Sequence, residues 1–139
     1  MQVSQPLSHR PRLVTWLGLG VLTLAVIHLW RLILGLNLPP LPFAVPTWYI
    51  PLTGGLWGIV ALVDATALFR GAPWAPGTTR IGTGAYLVWF WLDRVLLVQS
   101  EYHRSTWPLA LAISLSALVA VTWTLNHPTV RNHFEERAT

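Results

Sequence analysis

The chain of 139 residues contains no cysteine and no lysine, and only 10% of its residues are charged. Without cysteine, its own side chains cannot form disulfides, thiolate metal sites, iron–sulfur clusters or covalently attached c-type haem. Ordinary soluble domains carry about 25% charged residues, so this chain has too little charge to cover the surface of a soluble fold. Hydrophobic residues instead make up 53% of the chain.

Four long apolar stretches hold most of this hydrophobic content, and each is close to the roughly 20 residues that a helix needs to cross a bilayer. The predicted spans are about 13–36, 48–69, 81–99 and 106–125. Helices satisfy their own backbone hydrogen bonds, as hydrocarbon requires. We therefore expect an all-α, polytopic membrane protein, a bundle of four transmembrane helices that forms a single membrane domain over residues 1–139.

The first apolar stretch could also be a secretory signal peptide. It is longer than the roughly 7–15 apolar residues of such a segment, and no cleavage site of small residues follows it. It also contains His28 and Arg31. We therefore interpret it as a retained span.

Arginine in the short loops sets the expected orientation. One side of the predicted bundle holds six arginines, and the loops on the other side hold only Arg104. The six are Arg10, Arg12, Arg70, Arg80, Arg131 and Arg137. Cytoplasmic loops are enriched in basic residues, so both termini, with tails at 1–12 and 126–139, are expected to be cytoplasmic. Because these arginines form no basic stripe or motif, nucleic acid is not an expected partner.

Charged residues at membrane depth form the first candidate site. Asp93 and Arg94 are adjacent within the third predicted span, where unpaired charges are costly. At about 1.5 Å per residue, His28 and Arg31 of the first span reach a similar depth and share a helix face. We expect these four residues to form a buried ionic latch that fixes helix register. The alternative is a site for a quinone or an anion built from the same residues.

Aromatic rings near the middle of the membrane form the second candidate site. Trp89 and Trp91 flank Phe90, and Trp57 is at similar depth. Such rings can wall a quinone or carotenoid pocket, with packing against lipid and helices as the alternative. His28 can ligate a pigment magnesium, with a simple hydrogen bond as the alternative. We expect no catalytic residue, no metal and no intrinsic cofactor. A lipid, quinone or pigment bound at an interface would contact His28, Trp89 and Trp91.

Two further groups of polar residues have simpler interpretations. Asp64 lies near the end of the second span and is expected to be a water-exposed or capping carboxyl group, with a station on a proton path as the alternative. Four residues of the C-terminal tail match no metal-site spacing, so we expect them in solvent. They are His127, His133, Glu135 and Glu136.

Small residues mark two helix faces that can pack closely. Gly54 and Gly58 lie on one face of the second span, and Ala112, Ser116 and Ala120 on one face of the fourth. Small residues let two helix backbones approach each other in a membrane. We expect both faces to pack inside the bundle, and an interface with a partner is the alternative.

A weak internal repeat relates the two halves of the chain. When Arg31 is aligned with Arg94, each half has a span, a loop, a Thr-Trp pair and a returning helix. The segment 47–62 then matches 106–121 at six of sixteen positions. Both hairpins run in the same sense, as in a duplication about an axis along the membrane normal. The repeat predicts two parallel-repeat helical hairpins, with helices one and three adjacent.

Four short motifs carry a resemblance to a known group of proteins. They are the run 89–94 (WFWLDR), the segment 55–58 (GLWG), the turn 73–76 (PWAP) and the tripeptide 106–108 (TWP). Together they resemble small uncharacterised four-helix bacterial integral membrane proteins, over about residues 48 to 125. The resemblance implies four spans in a bacterial cytoplasmic (inner) membrane and brings no activity with it.

Two functions follow as alternatives, and neither is enzymatic, because the sequence shows no complete catalytic constellation. The first is a non-catalytic accessory subunit that packs on other integral membrane subunits of an electron-transfer or photosynthetic complex, with alternative complex III or a similar quinol-oxidising assembly as the expected host. The second is a small oligomeric transporter or a quinone- or pigment-binding membrane protein. A water-filled or lipid-open pocket reaching Asp93 would favour the second, and a dry, fully paired latch the first.

Overall fold

A computed structural model of the protein describes residues 10–37, 46–96 and 106–136. Within these ranges the chain forms five helices and no strand. The helices are α1 (Arg12–Asn37), α2 (Tyr49–Arg70), α3 (Ala75–Leu96), α4 (Trp107–Asn126) and α5 (Pro128–Glu135). The expected all-α fold class is therefore confirmed.

Three of these helices, α1, α2 and α4, are long and apolar enough to span a membrane. This is consistent with the expected helical membrane protein. Helix α3 is as long as α2, at 22 residues, but it contains Arg80, Asp93 and Arg94 and is less apolar. The predicted count of four spans is therefore not confirmed by length and composition, and residues 97–99 of the third predicted span lie outside the described residues.

The four long helices run alternately up and down. Contacts near the two ends of each neighbouring pair show that the two helices are antiparallel. These contacts are Gly18 with Phe69 and Gly35 with Pro51 for α1 and α2, Tyr49 with Asp93 and Asp64 with Thr78 for α2 and α3, and Arg80 with Asn126 and Arg94 with Thr106 for α3 and α4. Helices α2 and α4 therefore run in the same direction.

Glycine brings α1 and α2 into close contact. A Cβ atom on Gly54 would lie 2.8 Å from the backbone nitrogen of Leu32 and 2.9 Å from the carbonyl oxygen of His28. A Cβ atom on Gly58 would lie 2.8 Å from a methyl carbon of Leu29 and 3.2 Å from its nitrogen. Only hydrogen fits at Gly54, where the neighbours are backbone atoms, and a Cβ atom at Gly58 would displace the Leu29 side chain. The backbones of the two helices therefore approach closely.

The buried apolar core lies at one end of the bundle, where α1 and α3 begin and α2 and α4 end. We call this the core end, and the opposite end the Asp93 end. The core consists of Val14, Ala67, Leu68, Ala75, Leu125, Val130 and Phe134. Helix α5 supplies Val130 and Phe134, which lie four residues apart and therefore on one helix face.

Helix α5 differs from the solvated tail expected at 126–139. Val130, His133 and Phe134 are buried, while His127 is half-buried and Glu135 and Glu136 are exposed. Val130 and Phe134 of α5 pack against the bundle, and His133 is buried beside them. The length of apolar runs did not predict α5, because its eight residues are far fewer than the roughly 20 that a membrane span needs.

Helix α3 begins six residues before the predicted span at 81–99. Helix α2 ends at Gly71, whose φ of 67° is the left-handed conformation that glycine adopts at a helix C-terminus. Helix α3 then starts at Ala75, with Pro76 in its first turn, where proline is tolerated. The residues at 77–80 are small or polar, so hydropathy did not include them, although they are helical.

Candidate functional site

A cleft of about 1100 Å³ lies between the four long helices and is partly open to the outside. Its walls are mainly aliphatic and aromatic, with Leu17 and Val21 on α1, Val60 on α2, Leu87 on α3 and Ile113 on α4. Ligand pockets in proteins are commonly about 300–1000 Å³ and mostly apolar. This cleft is therefore slightly larger than a typical small-molecule site.

The cleft exists because α3 and α4 touch mainly near their ends. At the core end, Arg80 donates a hydrogen bond of 2.7 Å to the side-chain oxygen of Asn126. At the Asp93 end, Arg94 donates one of 2.6 Å to the hydroxyl of Thr106. Between these two contacts, Leu87 and Phe90 of α3 and Ile113 and Ala117 of α4 all line the cleft. The two helices are thus held at both ends and separated in the middle.

Polar groups stand at both ends of the cleft. Arg94 and Thr106 line it at the Asp93 end, and Asp64 and Thr78 line it towards the core end. The hydroxyl of Thr78 donates a hydrogen bond of 2.9 Å to Asp64. Arg94 lies 16 residues after Thr78 on α3, which corresponds to about 24 Å along the helix. Asp64 is half-buried and borders the cleft, whereas the sequence predicted a capping or water-exposed role.

Aromatic rings form the wall of the cleft between its polar ends. Trp57, Tyr86 and Phe90 line it, and the rings of Trp57 and Tyr86 meet edge to face at 5.2 Å. Trp89 packs behind them at a tilt, with its ring centroid 5.4 Å from that of Trp57 and 5.6 Å from that of Tyr86. Aromatic pairs prefer these separations. The cleft therefore has one stiff aromatic wall, in which the rings of Tyr86 and Phe90 are nearly parallel, at 27°.

His28 joins this wall from α1. It is 3% exposed, and a hydrogen bond of 3.1 Å joins its Nε2 atom to the hydroxyl of Tyr86. Its ring also meets that of Trp89 at 6.1 Å. Helices α1 and α3 are therefore adjacent at this depth. Among the residues that the structure describes, no cluster of three histidine, cysteine or acidic side chains could hold a metal ion.

Trp91 lies apart from the other two residues predicted to contact a pigment or quinone. Its ring packs against Phe90 and against Trp107 of α4, each at 5.8 Å. His28 and Trp89 are brought together on the α1 side of α3. Adjacent positions on a helix point about 100° apart, so one ligand on the α1 side does not reach Trp91 as well.

Asp93 is bound by a tyrosine that the sequence analysis did not select. The hydroxyl of Tyr49 donates a hydrogen bond of 2.5 Å to the Asp93 carboxyl group, a length typical of a hydroxyl and a carboxylate. Trp89 in turn donates to the oxygen of Tyr49 at 3.3 Å. Tyr49 could have been found from depth alone, because the start of α2 and the end of α3 lie at the same level in an antiparallel pair.

The four residues of the predicted latch lie in one region, but the pairing differs from the expected one. Arg31 stacks over the ring of Trp89, with its guanidinium carbon 5.8 Å from the centroid, within the range of a cation–π contact. In the described part of the chain, no ion pair joins Asp93 to Arg31 or His28. Each of the four has a ring or hydroxyl partner, and Asp93 is not among the residues that line the cleft.

The two small-residue faces have different environments. Gly54 and Gly58 are buried at the contact between α1 and α2. Ala112, Ser116 and Ala120 are exposed, although Ala120 also borders the cleft. Helix α4 turns another face to the bundle, with buried residues at positions 114, 124 and 125. The structure therefore does not place the α4 face inside the bundle, where it was expected.

Comparisons with known proteins add no assignment to this geometry. No protein-family model matches the chain, and no curated protein or solved structure shows significant similarity to it.

Proposed function

We propose that this protein is a four-span membrane bundle that binds a lipid-soluble ligand in its cleft and catalyses no reaction itself. The cleft of about 1100 Å³ with aliphatic and aromatic walls is the observation that carries the proposal. A cavity of this kind attracts apolar molecules more than water, because water needs several polar partners to fill it. Lipid, quinone and pigment molecules are the candidate classes.

The direction of the helices supports four spans. Helices α2 and α4 both run from the Asp93 end to the core end, and each could span a membrane. If both do, the chain between them must cross back, and α3 is the helix that lies there. Its 22 residues extend about 33 Å, enough to cross the hydrocarbon layer. Arg80 then lies near one surface of the membrane and Arg94 towards the other.

The arginine distribution supports cytoplasmic termini, and the bacterial inner membrane is proposed from the sequence resemblance alone. Of the arginines that carry this argument, Arg104 and Arg137 lie outside the described residues. Reporter enzymes test the topology. One fused after Thr139 and one inserted between Pro73 and Pro76 are expected to report the cytoplasm, and one inserted at 37–46 the outside. Reporters on opposite sides at 73–76 and after Thr139 would contradict a four-span arrangement.

Ligand binding is tested by blocking the cleft. Gly82 lines the cleft, and a Cβ atom there meets nothing within 4 Å, so Gly82→Trp fills the space without an initial clash. Gly84→Trp is the matched control, because Gly84 is equally open and does not line the cleft. After purification in mild detergent, solvent extracts are compared by mass spectrometry. A lipid-soluble molecule retained by the native protein and the control, and absent from Gly82→Trp, is the expected result.

The same extracts can contradict the proposal. If the native protein and both variants release identical sets of lipid-soluble molecules, the cleft holds no specific ligand. Folding of Gly82→Trp is checked by thermal unfolding, so that loss of ligand is not confused with loss of structure.

An accessory role in a larger membrane complex is the second candidate function. The exposed face with Ala112 and Ser116 favours it, because small residues outside the bundle are suited to contact with another helix. Other integral membrane subunits of an electron-transfer or photosynthetic complex, such as alternative complex III, would be the partners. The experiment is native-gel migration of the tagged chain. Ser116→Leu is expected to release it from a large complex, and Leu118→Phe, on another side of α4, is not. Migration only as a free bundle would contradict this role.

A further inference from the structure

The length of the cleft restricts its ligand. Thr78 and Arg94 both line it, and they are about 24 Å apart along α3. One leaflet of a bilayer contributes about 15 Å, half of the roughly 30 Å hydrocarbon layer. If α3 crosses the membrane, as in the proposed function on which this inference rests, the cleft passes the midplane. A ligand that fills it is therefore longer than a lipid chain confined to one leaflet.

The polar groups at the ends restrict the ligand further. The guanidinium of Arg94 carries only hydrogen-bond donors, whereas the carboxyl oxygens of Asp64 are acceptors. Both residues line the cleft. A hydroxyl group suits either end, because it accepts from a guanidinium and donates to a carboxyl oxygen. A quinone ring, which offers carbonyl acceptors, matches only the Arg94 end.

The middle of the cleft suits a stiff, flat and apolar chain. Trp57, Tyr86 and Phe90 form the ring wall. Two glycines, Gly20 on α1 and Gly82 on α3, also line the cleft, and a Cβ atom on either would meet nothing within 4 Å. Rings on one side and missing side chains at these positions leave a long slot. A conjugated polyene can lie along the rings of Tyr86 and Phe90, which are nearly parallel, at 27°.

From the length, the two polar ends and the ring wall together, we propose that the ligand is a rod-shaped polyene with a hydroxyl group at each end, that is, a dihydroxy carotenoid. One hydroxyl lies at Arg94 and Thr106, and the other lies at Asp64 and Thr78. The polyene between them crosses the membrane midplane along the aromatic wall.

Three probes of graded polarity test this assignment. Zeaxanthin has a hydroxyl at each end, β-carotene is a rod of the same length without polar groups, and menaquinone has one polar head. Each is offered to the full chain in lipid nanodiscs, and binding is followed by retention and by induced circular dichroism of the probe. We expect zeaxanthin to bind about a hundredfold more tightly than β-carotene, because it makes a hydrogen bond at each end and one bond of about 1.4 kcal/mol gives about tenfold.

Two variants and one control variant locate the site. Gly82→Trp is expected to abolish zeaxanthin binding, and Gly84→Trp to leave it unchanged. Asp64→Ala is expected to weaken zeaxanthin about tenfold and to leave β-carotene unaffected, since it removes a polar group at one end. This second variant keeps the test valid if Gly82→Trp does not fold, because its readout is a ratio between two probes on one protein.

The outcomes separate the ligand class from the proposed function. If menaquinone binds in a manner that Gly82→Trp abolishes and zeaxanthin does not bind, the carotenoid assignment is overturned and ligand binding in the cleft stands. Equal binding of zeaxanthin and β-carotene, with no effect of Asp64→Ala, overturns the role of the polar ends. If none of the three probes binds and native extracts hold no specific ligand, both proposals fail.

Discussion

The two helical hairpins of this protein differ in how closely their helices pack. Helices α1 and α2 are in contact along their length, through Gly54 and Gly58. Helices α3 and α4 touch mainly near their ends and leave the cleft between them. In the repeat that aligns 47–62 with 106–121, the positions of Gly54 and Gly58 are taken by Ile113 and Ala117. Both of these line the cleft, so the two hairpins differ at the positions where the first has glycine.

Glycine on α4 alone would not make the hairpins equal, because the opposite helices also differ. Helix α1 offers backbone atoms of His28 and Leu32 to Gly54. Helix α3 instead turns Tyr86 and Phe90 into the cleft. Close helix approach therefore needs a missing side chain on one helix and an accessible backbone on the other. The first hairpin serves as a scaffold, and the second provides a cavity.

The strongest test of this comparison enlarges a glycine in each hairpin. Gly54→Leu is expected to destabilise the protein by about 3 kcal/mol, because its Cβ would press on backbone atoms of α1 that cannot rotate away. Gly84→Leu on α3 is the control, since a Cβ there meets nothing within 4 Å. It is expected to be neutral or stabilising by about 0.5–1 kcal/mol, the gain from replacing glycine within a helix. Thermal unfolding in bicelles measures both, and equal losses would contradict the unequal packing.

The next prediction concerns the hydroxyl groups that connect the first hairpin to α3. Tyr49→Phe removes the hydrogen bond to Asp93 and is expected to cost about 1.5–3 kcal/mol, as for a bond to a charged group. Tyr86→Phe removes the bond to His28 and is expected to cost about 0.5–1.5 kcal/mol, as for a neutral pair. Unfolding in a detergent titration gives the order. A larger loss for Tyr86→Phe would show that Asp93 does not depend on Tyr49.

Much of the fold could be predicted from apolar run length. The spans expected at 13–36, 48–69 and 106–125 correspond to α1, α2 and α4 within one residue at each end. Arginine, proline or glycine follows or precedes these runs closely, so hydropathy and helix boundaries coincide. For α3 they do not, because the residues between Pro76 and Ile81 are helical but not apolar. The length of an apolar run indicates which residues can contact lipid, but it does not indicate where the helix begins.

The candidate site was less predictable, because it depends on partners from other helices. The sequence identified His28, Asp93 and Arg94 by their charge in an apolar run, and the structure places them near each other. It did not identify Tyr49, which as an aromatic residue at a span boundary resembles an ordinary interfacial anchor. The cleft could not be predicted from the sequence either, because it depends on how far α3 and α4 separate.

The smallest effect is expected from placing a glycine in the second hairpin. Ala117 is the repeat equivalent of Gly58 and lines the cleft, while Ala112 is exposed on α4 and does not line it. Each change to glycine is expected to cost about 1 kcal/mol through helix propensity. The two losses are expected to be equal, because Tyr86 and Phe90 still keep α3 away from position 117. Unfolding in bicelles compares the two variants directly. If Ala117→Gly is clearly more stable than Ala112→Gly, the glycine has allowed α3 and α4 to approach, and the missing glycine alone then explains why the second hairpin is open.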